Sequence, residues 1–356
     1  MLIVDAHEDI AWNVRTFGRD YTHSAEWLRY GERNSLVPSQ NGNTLLGRED
    51  WLLARVAVIF STLFSSPARK RLGDWDTQAY SNQEEAYVLA NRQIDVYEDL
   101  TANHPQFRRI FTSGDLQSVL ETWHDQAEIE EHQIGLVTLM EGADPIRQPE
   151  EVEEWFERGV RIIGLSWEAT RYAGGTHEPG SLTDDGRELL KHMARLGMVL
   201  DLSHLAEEAY YQALEIYGGV TIASHANPRR FLPTSRGLSD EMITLLAERD
   251  GVVGIVAYNA FLKPGWQKGD PQDAVPLSNF VAAIDHVCQI TGSPNHVGIG
   301  TDFDGGFGLE HVPVGIDSIA DLTKLEEPLR EKGYNPDDIA AIFGDNWLRV
   351  LRASLP

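Results

Sequence analysis

The sequence predicts an α/β protein, and within that class a closed (β/α)8 TIM barrel with helical insertions after strands 1 and 2. Three observations predict it. Eight short apolar runs recur along the chain, helix-like stretches separate several of them, and no glycine fingerprint for a dinucleotide or a phosphate loop follows any run. Alternation of strand and helix argues for a parallel sheet, and a repeat of eight argues for closure rather than an open, doubly wound sheet.

The candidate strands are residues 2–4, 56–64, 135–140, 160–167, 198–202, 220–223, 252–258 and 297–300. Helical patterns cover 84–100, 113–124, 150–158, 183–196, 239–249 and 277–291, with Ser113, Thr183 and Ser239 as N-caps and Gly197 and Gly251 as stops. Two further helical stretches, 317–332 and 336–354, close the chain. Residues 10–55 and 65–134 are too long for plain connections and carry Trp12, Trp27, Tyr30 and Trp75, so they are expected to pack on the barrel and partly over its mouth. With no internal repeat and no low-complexity linker, residues 1–356 are expected to form one domain.

The chain has 356 residues with 55 acidic and 30 basic side chains, a formal charge of −25. That balance argues against nucleic acid and against an anionic membrane as partners. No stretch approaches the roughly 20 apolar residues of a membrane helix, and no basic segment leading into an apolar run opens the chain. A soluble, cytoplasmic protein without a leader is the expectation. The single cysteine, Cys288, lies in a stretch with apolar residues at helical spacing and reads as a buried small apolar side chain.

In a barrel the C-terminal ends of the strands converge, so chemistry is sought there. The first strand ends in Asp5-Ala6-His7-Glu8-Asp9, where His7 and Asp9, two apart on an extended backbone, share a face. The third ends at Glu141, the fifth at His204, the sixth at His225, and the eighth at Asp302 and Asp304. A lone histidine at a strand end is an ordinary hydrogen-bonding residue. Three histidines and three carboxylates at five strand ends are not, because burying them without an ion leaves unpaired charge. Imidazole and carboxylate without thiolate suit zinc, with manganese or cobalt as substitutes. The donors are too many for one tetrahedral ion, whereas two ions about 3.5–4 Å apart use them all and together hold a hydroxide and polarise a carbonyl. The other histidines, among them His132 and His192, are expected at the surface; His177, in the loop after strand 4, could approach the site, but a solvent-facing loop histidine is the favoured reading.

These stretches, with 196–204, Ser224-His225, Arg236-Gly237-Leu238-Ser239-Asp240, 251–254, 300–305 and 345–350, resemble the membrane dipeptidase (renal dipeptidase) family of amidohydrolase-type barrels over nearly the whole chain. The resemblance implies a binuclear zinc dipeptidase that hydrolyses free dipeptides, L-Xaa-L-Xaa and L-Xaa-D-Xaa, and a homodimer. It places one Zn2+ on His7 and Asp9, the other on His204 and His225, and Glu141 between them. Asp302 is implied as the group that moves the proton from water to the leaving amine, Asp304 as a brace of its loop, and Arg229 and Arg236 as arginines near the substrate, with Arg236 on its carboxylate. Tyr258 joins them as a substrate-binding candidate.

One position departs from the family. Where its members carry a histidine after strand 4, this chain reads Leu165-Ser166-Trp167. Trp167 is expected to line the pocket, with Tyr172 or His177 as a replacement donor; simple rim packing is the bland alternative. The same site could also serve another amide, an N-acyl amino acid or a lactone, or survive in a protein that has lost hydrolysis.

Overall fold

The computed structural model describes residues 1–124 and 126–356. Eight parallel strands form the barrel: β1 Ile3–Glu8, β2 Val56–Phe64, β3 Ile134–Glu141, β4 Val160–Gly164, β5 Val199–Asp201, β6 Thr221–Ile222, β7 Val253–Ile255 and β8 Val297–Ile299. Their ladder runs β7-β8-β1-β2-β3-β4-β5-β6. A parallel bridge between Ala223 and Val253 joins the two ends, where the Gly254 amide donates to the Ala223 carbonyl at 2.8 Å. Closure depends on Gly254, since a Cβ there would lie 1.8 Å from the Ser224 carbonyl oxygen.

The long strands β2 and β3 are buried along their whole length, as strands covered on both faces must be. They pair without a break from Val58 opposite Gly135 to Phe64 opposite Glu141, which brings the last residue of β3 level with the last of β2. The shorter strands β5 to β8 leave the ladder early. In the fourth strand the ladder stops at Gly164, and Leu165 to Trp167 belong to the loop that follows.

The helices follow the apolar spacing. Thr183 and Ser239 accept from the amides of Gly186 and Met242 as the expected N-caps, each worth about 1 kcal/mol. Before Ser113 the cap is Thr112, which forms a reciprocal box with Asp115. Gly197 takes the left-handed φ of a helix stop, but beside Gly251 it is Asp250 that does so. The final helix, Asn346–Ser354, is pinned to β8: Trp347 donates to the Ile299 carbonyl at 2.9 Å and meets Phe60 edge-on. Cys288 is buried as expected.

The first insertion is helical: Ile10–Phe17, Ala25–Glu32, Val37–Asn41 and Arg48–Ala54. Trp12 and Trp51 are buried, but Trp27 and Tyr30 face outward, against expectation. The second is mixed. A two-stranded parallel pair, Ser66–Pro67 with Ala79–Tyr80, precedes the long helix Gln83–Asn103, and a further strand, Phe107–Arg109, pairs with the start of β3. His132 and His192, expected at the surface, are buried; His132 stacks on Trp123 with ring centres 4.2 Å apart. Among the described residues, no helix is long and apolar enough to cross a membrane.

Candidate metal centre and its cavity

Six side chains from five strand ends meet at the C-terminal mouth of the barrel. On the β1 side, His7 Nε2 lies 3.4 Å from Glu141 Oε2, 3.8 Å from Asp9 Oδ1 and 3.9 Å from Asp302 Oδ1. On the β5–β6 side, Glu141 Oε1 lies 3.2 Å from His204 Nε2 and 3.4 Å from His225 Nε2, and those two nitrogens are 2.9 Å apart. Each oxygen of Glu141 therefore serves one side. Three overlapping groups here could hold a metal ion: His7, Asp9 and Glu141; Glu141, His204 and His225; and His7, His225 and Asp302, each with its donor atoms within 4.8 Å of one another.

The donor set fits a cation better than it fits itself. Among the described residues neither ring nitrogen of His7 has a hydrogen-bond partner although the ring is fully buried, and buried polar atoms are seldom left so. His204 and His225 present bare nitrogens to each other and to one carboxylate oxygen, an arrangement that a divalent ion satisfies.

Neighbours fix the orientation of these side chains. Thr62 donates to Asp9. Thr176 Oγ1 lies 2.8 Å from His204 Nδ1. Ser224 Oγ lies 2.8 Å from His225 Nδ1 and donates to Asp201, so the outer ring nitrogens of both histidines are held. The backbone turns sharply at His204 (φ 65°), Asp302 (φ 59°) and Asp304 (φ 64°), all in the left-handed region. Gly305 lets this turn fold over Asp302, because a Cβ there would stand 2.2 Å from Asp302 Oδ1.

The electrostatics follow from burial and neighbours. Burial pulls the imidazolium of His7 down, but Glu141, Asp9 and Asp302 outweigh it and lift its pKa to about 10. Burial lowers His204 to about 3, with Arg236 pushing the same way. Glu141 is held well below the carboxylate range because His7 and its hydrogen-bonding neighbours overcome its burial. Asp302 is raised well above that range, by burial and by the charges of Asp9 and Glu141.

A cavity of about 380 Å3 opens on this cluster, lined by Asp9, Glu141, His204, His225 and Asp302 together with Arg236, Trp167 and Tyr258. Arg236 is buried and spends one nitrogen on the His225 carbonyl, while its Nε and Nη1 have no partner among the described residues. Tyr258 stacks on Phe307 with centres 4.6 Å apart. Arg229 is not in the lining: its guanidinium pairs with Glu207 at 2.8 Å and donates to the Gly237 carbonyl. Tyr172 is also elsewhere, its hydroxyl donating to the Ile146 carbonyl. His177 does reach the rim, where its Nδ1 lies 2.6 Å from the buried carboxylate of Glu168. Asp304 is a brace: it accepts from Tyr21, Thr44 and the Leu45 amide and pairs with Arg19 at 3.0 Å. The holders Thr62, Thr176, Ser224 and Asp201 were not anticipated, although Asp201 and Ser224 stand within the histidine-bearing stretches and their side chains had to be satisfied by something.

The same architecture occurs in known proteins. The chain aligns over 99% of its length, at 20% identity and TM-score 0.78, with a metallopeptidase of Rhodobacter sphaeroides (99% covered) whose crystal structure holds a phosphinate mimic of the dipeptide L-Ala-D-Ala. It aligns equally far, at 20% identity and TM-score 0.80, with the probable dipeptidase PvdM of Pseudomonas aeruginosa, of which 95% is covered. In sequence it is 28% identical over 361 residues to dipeptidase aclJ of Aspergillus oryzae, covering 98% of this chain and 77% of that one. An uncharacterised dipeptidase of Schizosaccharomyces pombe is 30% identical over 227 residues, a match that spans 61% of this chain and only about half (53%) of the yeast protein. The structural likenesses establish the fold; the profile of the membrane dipeptidase family, peptidase family M19, matches residues 1–354, and the chain belongs to that family.

Proposed function

We propose that the protein is a binuclear zinc dipeptidase that hydrolyses the peptide bond of free dipeptides. The observation that carries this reading is one cavity in which two donor triads share Glu141 and face a buried arginine with two unused donors. His7 and Asp9 would hold one ion, His204 and His225 the other, and Glu141 both. Two such ions supply polarisation of the scissile carbonyl and a water acidic enough to attack it at neutral pH.

The chain's own groups do the rest. Arg236 Nε and Nη1 offer a fork for the terminal carboxylate of the substrate, which sets its direction and limits its length. Asp302, which lines the cavity beside the donor cluster, takes a proton from the attacking water and returns it to the departing amine. The aromatic side chains of the lining exclude bulk water, so these charges act at short range with little screening. The membership of this family, together with the dipeptide mimic bound to the Rhodobacter relative, supports a dipeptide over the other amide and lactone substrates that such a centre could serve.

The test is amine release by the zinc-loaded protein from L-L and L-D dipeptides, with N-acetyl amino acids and lactones as controls and a chelated sample as blank. Chelator-sensitive cleavage confined to free dipeptides is expected. Turnover of the controls alone, by protein that carries two metals, overturns the reading.

A further inference from the structure

The cavity carries a guanidinium on one side, and the ladder order places a cluster of rings across from it. One wall is carried by the helix after β1 (Trp12), the end of β2 (Phe64) and the loop after β4 (Trp167); Arg236, in the loop after β6, stands four strands round the barrel from β2, with Tyr258 after β7 and Phe307 after β8 between it and β1. This wall is built on rings, beside which the loop after β4 also places Glu168, Thr176 and His177. Phe64 meets Trp167 edge-on with centres 5.2 Å apart and tilts against Trp12 at 6.3 Å. Behind Trp12 stand Phe17 at 5.5 Å and Trp75 at 6.1 Å, themselves 5.3 Å apart, so the wall is backed by a second layer of rings. Trp167 also lies 6.3 Å from His204, which ties this wall to the donor cluster.

A dipeptide in this cavity has one orientation. Its free carboxylate goes to Arg236, the only lining guanidinium among the described residues, and its scissile carbonyl goes to the cluster around Glu141. The side chain of the N-terminal residue then lies beyond the cluster, on the Trp12, Phe64 and Trp167 side. A cationic side chain placed there finds no free counter-ion among the described residues of the rim, because Glu168, the carboxylate contributed by the loop after β4, already holds His177 and lies 3.7 Å from Lys70. A ring placed there meets other rings at their edges and faces.

We infer that the substrates are dipeptides with a large apolar, above all aromatic, N-terminal side chain, and that Trp167 and Phe64 are the residues that select it. The inference rests on the dipeptidase reading and narrows it. The pocket for the N-terminal residue is preformed, and a small side chain leaves it unfilled.

Two measurements test it on the zinc-loaded full chain. In the first, kcat/KM is compared for L-Phe-L-Ala, L-Ala-L-Phe, L-Lys-L-Ala and L-Ala-L-Ala. L-Phe-L-Ala is expected to exceed each of the others by about tenfold or more, the discrimination that an apolar pocket of this kind gives. In Trp167→Ala and Phe64→Ala the ratio of L-Phe-L-Ala to L-Ala-L-Ala falls toward one. In the second, calorimetric titration with the uncleavable reduced-amide analogues of L-Phe-L-Ala and L-Ala-L-Ala is expected to show the same preference in Kd. Equal or reversed ratios in both measurements overturn the inference while leaving the dipeptidase reading intact. No turnover of any of the four peptides overturns the dipeptidase reading, and the titration then decides on its own whether the wall selects aromatic side chains.

Discussion

His7, buried, and His204, part-buried, are imidazoles that both face Glu141, yet the first is pushed up to about 10 and the second down to about 3. Burial lowers both. Around His7 stand three carboxylates, Glu141, Asp9 and Asp302, which outweigh it; beside His204 stands Arg236, which adds to it. The β1 side of the cluster is rich in oxygen and the β5–β6 side rich in nitrogen, so one shared carboxylate joins two unlike positions. In the proposed enzyme the two ions are therefore not interchangeable, and the nitrogen-rich position suits zinc better than manganese.

The largest expected effect comes from the residue that joins the two sides. Glu141→Gln weakens both at once, so metal content falls well below two per chain and dipeptide turnover is lost; metal analysis that still finds two ions would break the comparison. Next is Asp302→Asn, which is expected to lower kcat by about 10²–10⁴ with metal content unchanged. A loss of bound metal in that variant would make Asp302 part of the β1 position instead of the group that moves the proton.

A smaller effect separates the sides. Ser224→Ala frees the outer nitrogen of His225 and should weaken one ion only, by about 10–100-fold, while Thr62→Val should do the same to the other through Asp9. Competitive chelation that finds the same ion loosened in both variants would show that the two sides respond as one. The smallest effect is on stability and needs metal-free protein. His7, with its folded pKa above the unfolded value near 6.5, contributes stability that is full below 6.5 and is lost as pH rises to about 10. His204, with its folded pKa below that value, costs stability as pH falls from 6.5 toward about 3, because the unfolded chain takes up a proton that the fold refuses. Urea midpoints of chelated wild type and His7→Gln should therefore converge between pH 6.5 and 9.5, and a gap independent of pH would count against the assignment.

Much of this was legible because strand ends obey a simple geometry. His7 and Asp9 share a face by alternation, and the barrel brings separate strand ends together whatever the loops do. Where reading failed, the cause was tertiary. Residues 165–167 continue the apolar run of β4, but the pairing with β5 ends at Gly164, Leu165 and Ser166 are buried in the loop that follows and Trp167 turns to the cavity, so the predicted strand was too long. Phe107–Arg109 has no alternation to betray it, because β3 supplies its pairing. Arg229 is four residues from His225, yet Glu207, on the helix Glu207–Ile216, draws its guanidinium away from the cavity. Whether an arginine is free or already paired depends on a partner that sequence spacing does not reveal.

The left-handed turns at His204 and Asp302 bear on how such a protein can change over time. A glycine at either position would relieve a conformation that costs a side-chain-bearing residue on the order of 1–3 kcal/mol. If these two side chains carry the proposed chemistry, mutation toward an easier-folding chain is always one codon's drift away from removing it, and any lineage that relaxes its need for the proposed reaction should lose them early. A library of variants sorted for thermal stability alone should drift toward glycine at 204 and 302, while the same library sorted for turnover should hold both.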